Sequence, residues 1–499
     1  MKPAAFVLGL ILAAFTPAAQ AQQRVTTRPL ALEECIQIAL EHNLDIQISR
    51  LDPQLAGFSL AGSYASYDPI FNASAWHDYS LTAASRDDQN RVFLGSETDT
   101  DNVNSGLNGL LPWGFTYNLG TLMRSSDGLQ GTNSFANAFD SIGISMRQPL
   151  LKNFWIDSTR LQIFTAKKNL KISEAGLRNQ IITTVTQVEE AYYNLIFQNE
   201  NVKVQEKALE LAERLVAENR RRVEVGALAP LDEKQAESQA ATSRANLLDA
   251  QANRDTAERV LKALLSDDYN VWMDVRIEPT EPLLAIPQTL DLQSGWRRGL
   301  ELRPDLQQAR YQIEIQTKRI AYGRNQLFPQ LDLFGDYGYT GSTPFEDGLG
   351  APLPQITDRD NPNYTYGVSI SLPLANTGAR NSLKAAKVTK EQLDLQLRQL
   401  EQRALITIEN SMSDARIGYE RIGVTRQATQ YAEAALQAEQ TKLEKGKSTT
   451  FVVLQLQTDL TQARSAEIRA LADYNIFLAR LAQNEGTTLE RRKIDLQFK

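Results

Sequence analysis

Residues 158–225 read STRLQIFTAKKNLKISEAGLRNQIITTVTQVEEAYYNLIFQNENVKVQEKALELAERLVAENRRRVEV, with no proline and Gly176 as the one glycine. Val185, Val188, Tyr192, Leu195, Val202, Leu209 and Val216 follow a three-four heptad spacing, interrupted by Asn199, Glu206 and Glu213. That pattern is the seam of a coiled-coil helix. At 1.5 Å per residue the run makes a rod of ~100 Å, which must pack along partners of similar length. A second run, from about Ala379 to Lys445, has the same character. Shorter helical patterns cover 32–62 and 231–266, and again 291–325 and 447–484. Stacked end to end, each pair matches one long helix.

The pairing of one long helix with two short ones occurs twice because the chain is duplicated. Residues 31–80 align without a gap on 291–340: Leu40-Glu41 on Leu300-Glu301, Asp45 on Asp305, Ala61 on Ala321, Pro69 on Pro329 and Tyr79 on Tyr339. Gly143-Ile144-Ser145 then matches Gly367-Val368-Ser369, and Gly226 matches Gly446. Repeat one is read over 22–284 and repeat two over 285–490, with a tail at 491–499.

Between the helices the period changes to two, the signature of strands with two distinct faces. Ile70, Asn72, Ser74 and Trp76 fall on one face, and Phe71, Ala73, Ala75 and His77 on the other. Alternation recurs over 103–111, 115–123 and 138–148, and in the second repeat over 329–342 and 363–374. Runs of about ten residues suit tilted transmembrane strands. Tyr64, Tyr67, Tyr79, Trp113, Phe139, Tyr337, Tyr339, Tyr364 and Tyr366 sit near strand ends, as interfacial girdles do. Pro69 and Pro149 are 80 residues apart, whereas Pro329 and Pro373 are 44 apart. The surplus around Leu111-Pro112-Trp113-Gly114 leaves two options, four strands per chain or six.

The chain's start fits export. Lys2, the apolar run Phe6–Phe15 and Ala19-Gln20-Ala21 read as a signal peptide over 1–21, with Gln22 first in the mature protein. Beyond it no apolar stretch reaches the length of a transmembrane helix. A membrane location therefore requires a closed β-barrel, since lipid leaves unpaired strand edges unsatisfied. One chain has too few strands, so several copies must share one barrel in cyclic symmetry.

At this point the residues resemble the TolC-like outer-membrane efflux protein family. The resemblance rests on Leu30-Ala31-Leu32-Glu33-Glu34 with Ala39-Leu40-Glu41-His42-Asn43, on Leu302-Arg303-Pro304-Asp305-Leu306, on Phe328-Pro329-Gln330-Leu331 and on Gln148-Pro149-Leu150. It covers nearly the whole mature chain. It implies an α+β fold: a trimeric transmembrane β-barrel continued by a long periplasmic α-helical barrel of coiled-coil hairpins, with two structural repeats per chain. It implies a passive duct in the outer membrane, the channel subunit of a tripartite efflux pump or type I secretion system. The partners implied are two further copies of the chain, a periplasmic adaptor (membrane fusion) protein, an inner-membrane pump or ABC exporter, and outer-membrane lipid. No cofactor is expected.

The helical tips carry the adaptor-docking segments that the resemblance implies: Val225, Gly226, Ala227, Leu228 and Leu231 on the first, and Gly446, Lys447, Ser448, Thr449 and Val453 on the second. Gly226 and Gly446 suit the positive φ that ends a helix. Asp232 and Ser448 or Thr449 suit the cap of the returning helix. Family members often carry acidic residues past the second tip, where this chain has Val452 and Gln455. Asp232 remains as the candidate charge at the channel mouth.

Other functions lack their chemistry. The formal net charge of −7, with both signs dispersed, provides no basic footprint for nucleic acid. His42, His77 and Cys35 are the whole complement of histidine and cysteine, so a His/Cys metal cluster is excluded and no catalytic site is expected. Cys35 is expected in a helix core and His42 on the surface. Lys445-Gly446-Lys447-Ser448-Thr449 lacks the leading glycine and preceding strand of a nucleotide-binding loop. The alternative to a duct is a periplasmic coiled-coil adaptor or structural envelope protein.

Overall fold

The structure, a computed structural model, describes residues 26–226, 228–344 and 348–495. The signal-peptide reading, the start at Gln22, the end of the tail and Ala227 lie outside the described residues. The chain divides into two compact units, each drawing segments from both sequence repeats.

The first unit comprises the chain up to Leu44, Thr184–Pro287 and Ala415–Ala479. Strand β1 (Thr26–Leu30) pairs in parallel with β8 (Val275–Pro279), which lies in the segment joining the repeats. Helix α1 (Leu32–His42) follows, with the Glu34 carboxylate accepting from the Ala31 N–H at its start. Leu32, Cys35, Ile36 and Ala39 make its buried face. Asn43 ends it, donating its side-chain amide to the Leu264 carbonyl at 2.9 Å. Helix α3 (Ser158–Glu224) enters this unit with Val185, Val188, Tyr192, Leu195 and Val202 buried. Farther on, Leu209 and Val216 are only half-buried, and Ala212, Leu215 and Asn219 take the buried positions. The returning helix α4 (Pro230–Leu265), the one-turn α5 (Tyr269–Trp272) and parts of the second hairpin complete the unit.

The second unit comprises Asp45–Thr183, Gln288–Asp414 and the chain from Arg480. The helix expected over 32–62 is broken at Asn43; α2 (Leu44–Ser63) restarts there and continues through Pro53. The helix expected over 291–325 is likewise two, α6 (Leu292–Leu302) and α7 (Pro304–Asn325). Pro304 forces the break, because its ring drives the preceding Arg303 out of the helical region, to φ −62 and ψ 123.

Next in chain order come β2 (Ile70–Thr82), the two-residue strands β3 (Ser85–Arg86) and β4 (Val92–Phe93), β5 (Ser96–Leu110), β6 (Thr116–Gln130) and β7 (Asn133–Pro149). The second repeat supplies β9 (Gln330–Pro344), α8 (Leu353–Thr357) and β10 (Pro362–Ser371). The long helix α9 (Thr377–Glu444), α10 (Thr450–Glu485) and α11 (Thr488–Arg491) close the chain. Within the second unit α6 packs tightly on α9: Trp296 Nε1 donates to the Leu405 carbonyl at 3.2 Å, and Gly299 faces Ile408.

Candidate functional site: a two-faced sheet and paired helical tips

The long strands form one antiparallel sheet in the order β10-β9-β7-β6-β5-β2. The surplus of the first repeat is the β5–β6 hairpin, and each chain places six strands in this one sheet. Every neighbouring pair is in unbroken register, so side chains on one face line up across the sheet.

One face is apolar over the inner half of the strands. Phe71, Ala73 and Ala75 on β2 lie opposite Leu107, Ser105 and Val103 on β5. These in turn oppose Leu119, Thr121 and Met123 on β6, and the row continues through Ile144 and Ile142 on β7. Tyr337 and Tyr339 on β9 and Tyr364, Tyr366 and Val368 on β10 complete it. Phe71, Leu107, Leu119, Ile142, Tyr337, Tyr366 and Val368 are all exposed. An apolar surface of this extent is not left to water, and with polar residues on alternate positions the sheet has the two-faced pattern that strands of a transmembrane barrel carry.

The opposite face is polar. Asn72 and Ser74 on β2, Asn104 and Asn108 on β5, Asn118 and Arg124 on β6, and Ser145 and Arg147 on β7 line a trough of 1310 Å³. Asn72 donates to Asn108 at 2.9 Å, and the Arg124 guanidinium donates to Asn102 at 2.9 Å. Arg147 lies 3.6 Å from the buried carboxylate of Asp332. On this face a row of glycines crosses four strands: Gly106 opposes Gly120, Gly120 opposes Gly143, and Gly143 opposes Gly338. A Cβ at Gly338 would stand 2.4 Å from the Ile142 carbonyl oxygen, so β7 and β9 approach closely at this end of the row, whereas at Gly120 nothing comes nearer than 3.8 Å.

The helical tips lie in the first unit. Gly226 has φ +72 and Gly446 φ +70, and both end their helices in the left-handed region. At the second tip the Lys447 N–H donates to the Lys442 carbonyl at 2.8 Å and Gly446 N–H to Leu443 at 3.0 Å, which satisfies the last carbonyls of α9. The expected cap differs at the first tip. Pro230 takes the first position of α4, which places Asp232 inside the first turn rather than at the cap. Ser448 donates to the Glu439 carboxylate at 2.6 Å instead of capping α10, and Thr449 stands immediately before that helix. Lys442 and Ser448 together hold the Glu439 carboxyl below its usual value.

Of the sequence-selected tip residues, Val225 and Leu231 are 78% and 67% exposed, Gly226, Gly446, Lys447 and Thr449 are exposed, and Leu228 and Ser448 are half-buried. Val453 is buried with Leu215, Leu436, Leu443, Leu454 and Leu460, so it packs the two hairpins together and offers no surface. Phe451, 63% exposed at the second tip, is an apolar surface residue that helix periodicity alone did not single out. Beneath the tips, Asn219 on α3 donates to the Asp232 carbonyl at 3.2 Å and to Thr450 Oγ1 at 3.3 Å. Arg222 reaches the Leu443 carbonyl at 3.4 Å.

Among the described residues no cluster of histidine, cysteine and carboxylates is arranged to hold a metal ion. Cys35 is fully buried, and burial pushes its thiol pKa up to about 12. His42 is half-exposed and bonds Asp267 at 3.2 Å.

A sheet with an exposed apolar face, in a chain that also carries coiled-coil hairpins, points to a channel-type protein of the outer membrane. The family model for outer membrane efflux proteins matches residues 114–266 and 297–487, and the chain belongs to that family. It is a passive channel of the outer membrane and not an enzyme. The chain is 23% identical over 451 residues to outer membrane protein TolC of Escherichia coli, covering 89% of this chain and 88% of that one. It is 23% identical over 351 residues to the outer membrane efflux protein BepC of Brucella suis, covering 70% and 72% of the two chains. The fold is similar to the CmeC outer membrane channel of Campylobacter jejuni, with a TM-score of 0.67 at 15% identity, over 93% of this chain and 90% of that one.

Proposed function

We propose that three copies of this chain close one β-barrel in the outer membrane and line a periplasmic helical conduit, the exit duct of a tripartite efflux pump or type I secretion system. A periplasmic adaptor docks on the helical tips and an inner-membrane pump or ABC exporter supplies cargo. The observation that carries this reading is the two-faced sheet with β2 and β10 as its edges. Its apolar face needs lipid, its polar face needs water, and its edges need partner strands. Because β2 and β10 are antiparallel in the sheet order, copies arranged head to tail join edge to edge and close a ring. Val225, Leu231 and Phe451 supply apolar contact at the tips for an adaptor hairpin, with Gly226 and Gly446 keeping the turns low. The same exposed face argues against a soluble periplasmic adaptor.

The test is extraction of membranes in mild detergent, with the oligomer mass and envelope determined by electron microscopy. A trimer with a detergent belt around one end is the expected result. A water-soluble monomer, or an elongated dimer without a belt, overturns the reading.

A further inference from the structure

The two repeats are built to one plan until the sheet. In the second repeat β9 and β10 pair directly, with Leu333 opposite Val368. Their sequence counterparts in the first repeat are β2 and β7, with Ala73 aligned on Leu333 and Ile144 on Val368. Those two strands do not pair with each other; the β5–β6 hairpin lies between them.

We propose that this hairpin is a bore-setting element: it is laid into the barrel wall, widens the barrel by half and nearly doubles its bore relative to a chain of two equal repeats. This rests on the assembly proposed above. The hairpin is built as wall. Thirteen register pairs join β5 to β2 and fifteen join β6 to β7. Leu107, Val103, Leu119 and Met123 continue the apolar face, with Ser105 and Thr121 hydrogen-bonded to each other between them, and Asn104, Asn108, Asn118 and Arg124 continue the polar one. Gly106 and Gly120 extend the glycine row of Gly143 and Gly338, so the hairpin shares the row in register with its neighbours. A plug or an external flap would share neither the two-faced pattern nor the row.

The consequence is geometric. With strands ~4.8 Å apart and tilted about 40°, a barrel of twelve strands is ~24 Å across and one of eighteen ~36 Å. Allowing about 5 Å of side chain on each wall, the bore rises from ~14 Å to ~26 Å. The narrower bore passes one α-helix of 10–12 Å diameter, and the wider one passes two side by side. The inserted hairpin therefore determines the size of cargo, a bulky solute or a partly folded polypeptide, that the membrane segment admits.

The experiment has two arms. The intact protein in nanodiscs is imaged and the strands counted in cross-section; eighteen per trimer is expected. In the second arm residues 83–132 are replaced by a short turn, which joins β2 to β7 as β9 joins β10. Neutral polymers of graded size are then added from the extracellular side while single-channel current is recorded. The largest polymer that enters should be about twofold smaller in radius for the excised protein than for the intact one. A ring of twelve strands in the intact protein, whether from a dimer or from a trimer with the hairpin folded aside, overturns the inference. An excised protein that assembles with an unchanged cutoff also overturns it. If the excised chain fails to assemble, the strand count of the intact protein decides. A protein that forms no membrane channel at all overturns the proposed function instead.

Discussion

The side-chain amide of Asn219 on the first hairpin donates to Thr450 Oγ1 on the second, at 3.3 Å, with both residues buried. This bond and the one to the Asp232 carbonyl join α3 to both returning helices just below the tips. Asn219→Ala leaves Thr450 without that partner at a buried site, which costs about 1–3 kcal/mol. The expected outcome is faster hydrogen exchange at residues 215–225 and 445–455 with the sheet unaffected. Unchanged exchange there would show that the leucine cluster around Leu443 and Val453 alone holds the hairpins together.

At the second tip, Gly446 has φ +70 and open space where a Cβ would go. Asparagine tolerates that backbone, whereas valine there costs about 1–3 kcal/mol. Gly446→Asn should therefore assemble as the parent does, yet place a side chain on the proposed docking surface and weaken adaptor binding about tenfold, the equivalent of ~1.4 kcal/mol. Co-purification with the adaptor and native-gel mobility are measured together. Full binding by a normally assembled Gly446→Asn protein removes this tip from the docking surface.

Asp232 lies in the first turn of α4, half-buried, with a partner on its backbone rather than its carboxylate. In the proposed trimer three such carboxylates would ring the channel mouth and favour cations. Asp232→Asn should shift the reversal potential in a salt gradient toward zero without altering assembly. An unmoved reversal potential excludes Asp232 from the mouth.

Gly338 stands where an added Cβ meets the Ile142 carbonyl at 2.4 Å and the Gly143 Cα at 2.9 Å. Backbone cannot swing aside as a side-chain end does, so Gly338→Ala should cost about 1–3 kcal/mol by overpacking. Gly120, with nothing nearer than 3.8 Å, should accept alanine. The temperature at which each variant loses its folded band on SDS gels separates the two; equal temperatures would contradict the close approach of β7 and β9.

Cys35 gives a pH prediction. Its folded pKa of about 12 lies above the ~8.5 of an exposed thiol, so between these values the native chain keeps a proton that the unfolded chain releases. The contribution to stability is complete below pH ~8.5 and is lost as pH rises, by at most ~1.4 kcal/mol per unit. Tyr192, held up by burial to about 12, acts in the same direction above pH ~10. Denaturation midpoints at pH 8 and pH 10 should differ less in Cys35→Ala than in the parent. Maleimide should label Cys35 only after denaturation.

The helices were legible because Val185, Val188, Tyr192 and Leu195 repeat at a period that only a helix brings to one face, and these are the buried residues. The two faces of β2 were legible for the same reason at period two. The strand count was not: alternation in 103–123 suits a wall strand or an external hairpin equally, and only the register with Ala75 and Ile144 distinguishes them. At the tips, the glycines announced their turns, but cap assignments depended on one-residue boundaries. Pro230 rather than Asp232 opens α4, and Val453 points into the leucine cluster. The role of Asn219 had no sequence signal, since a polar residue in a heptad seam does not reveal which helix answers it.

The parallel pairing of Thr26–Leu30 with Val275–Pro279 sets a timetable for biogenesis. The first strand among the described residues has its mate about half the chain length later, and Leu30 is further tied to Tyr192 and Thr280. While the polypeptide emerges from the translocon, this strand must wait unpaired until the inter-repeat segment has crossed, a long-range closure that is inherently slow. Its bare edge during that interval is a target for holdase chaperones of the periplasm, and a stalled or truncated product ending before residue 275 would remain their client and go to proteolysis.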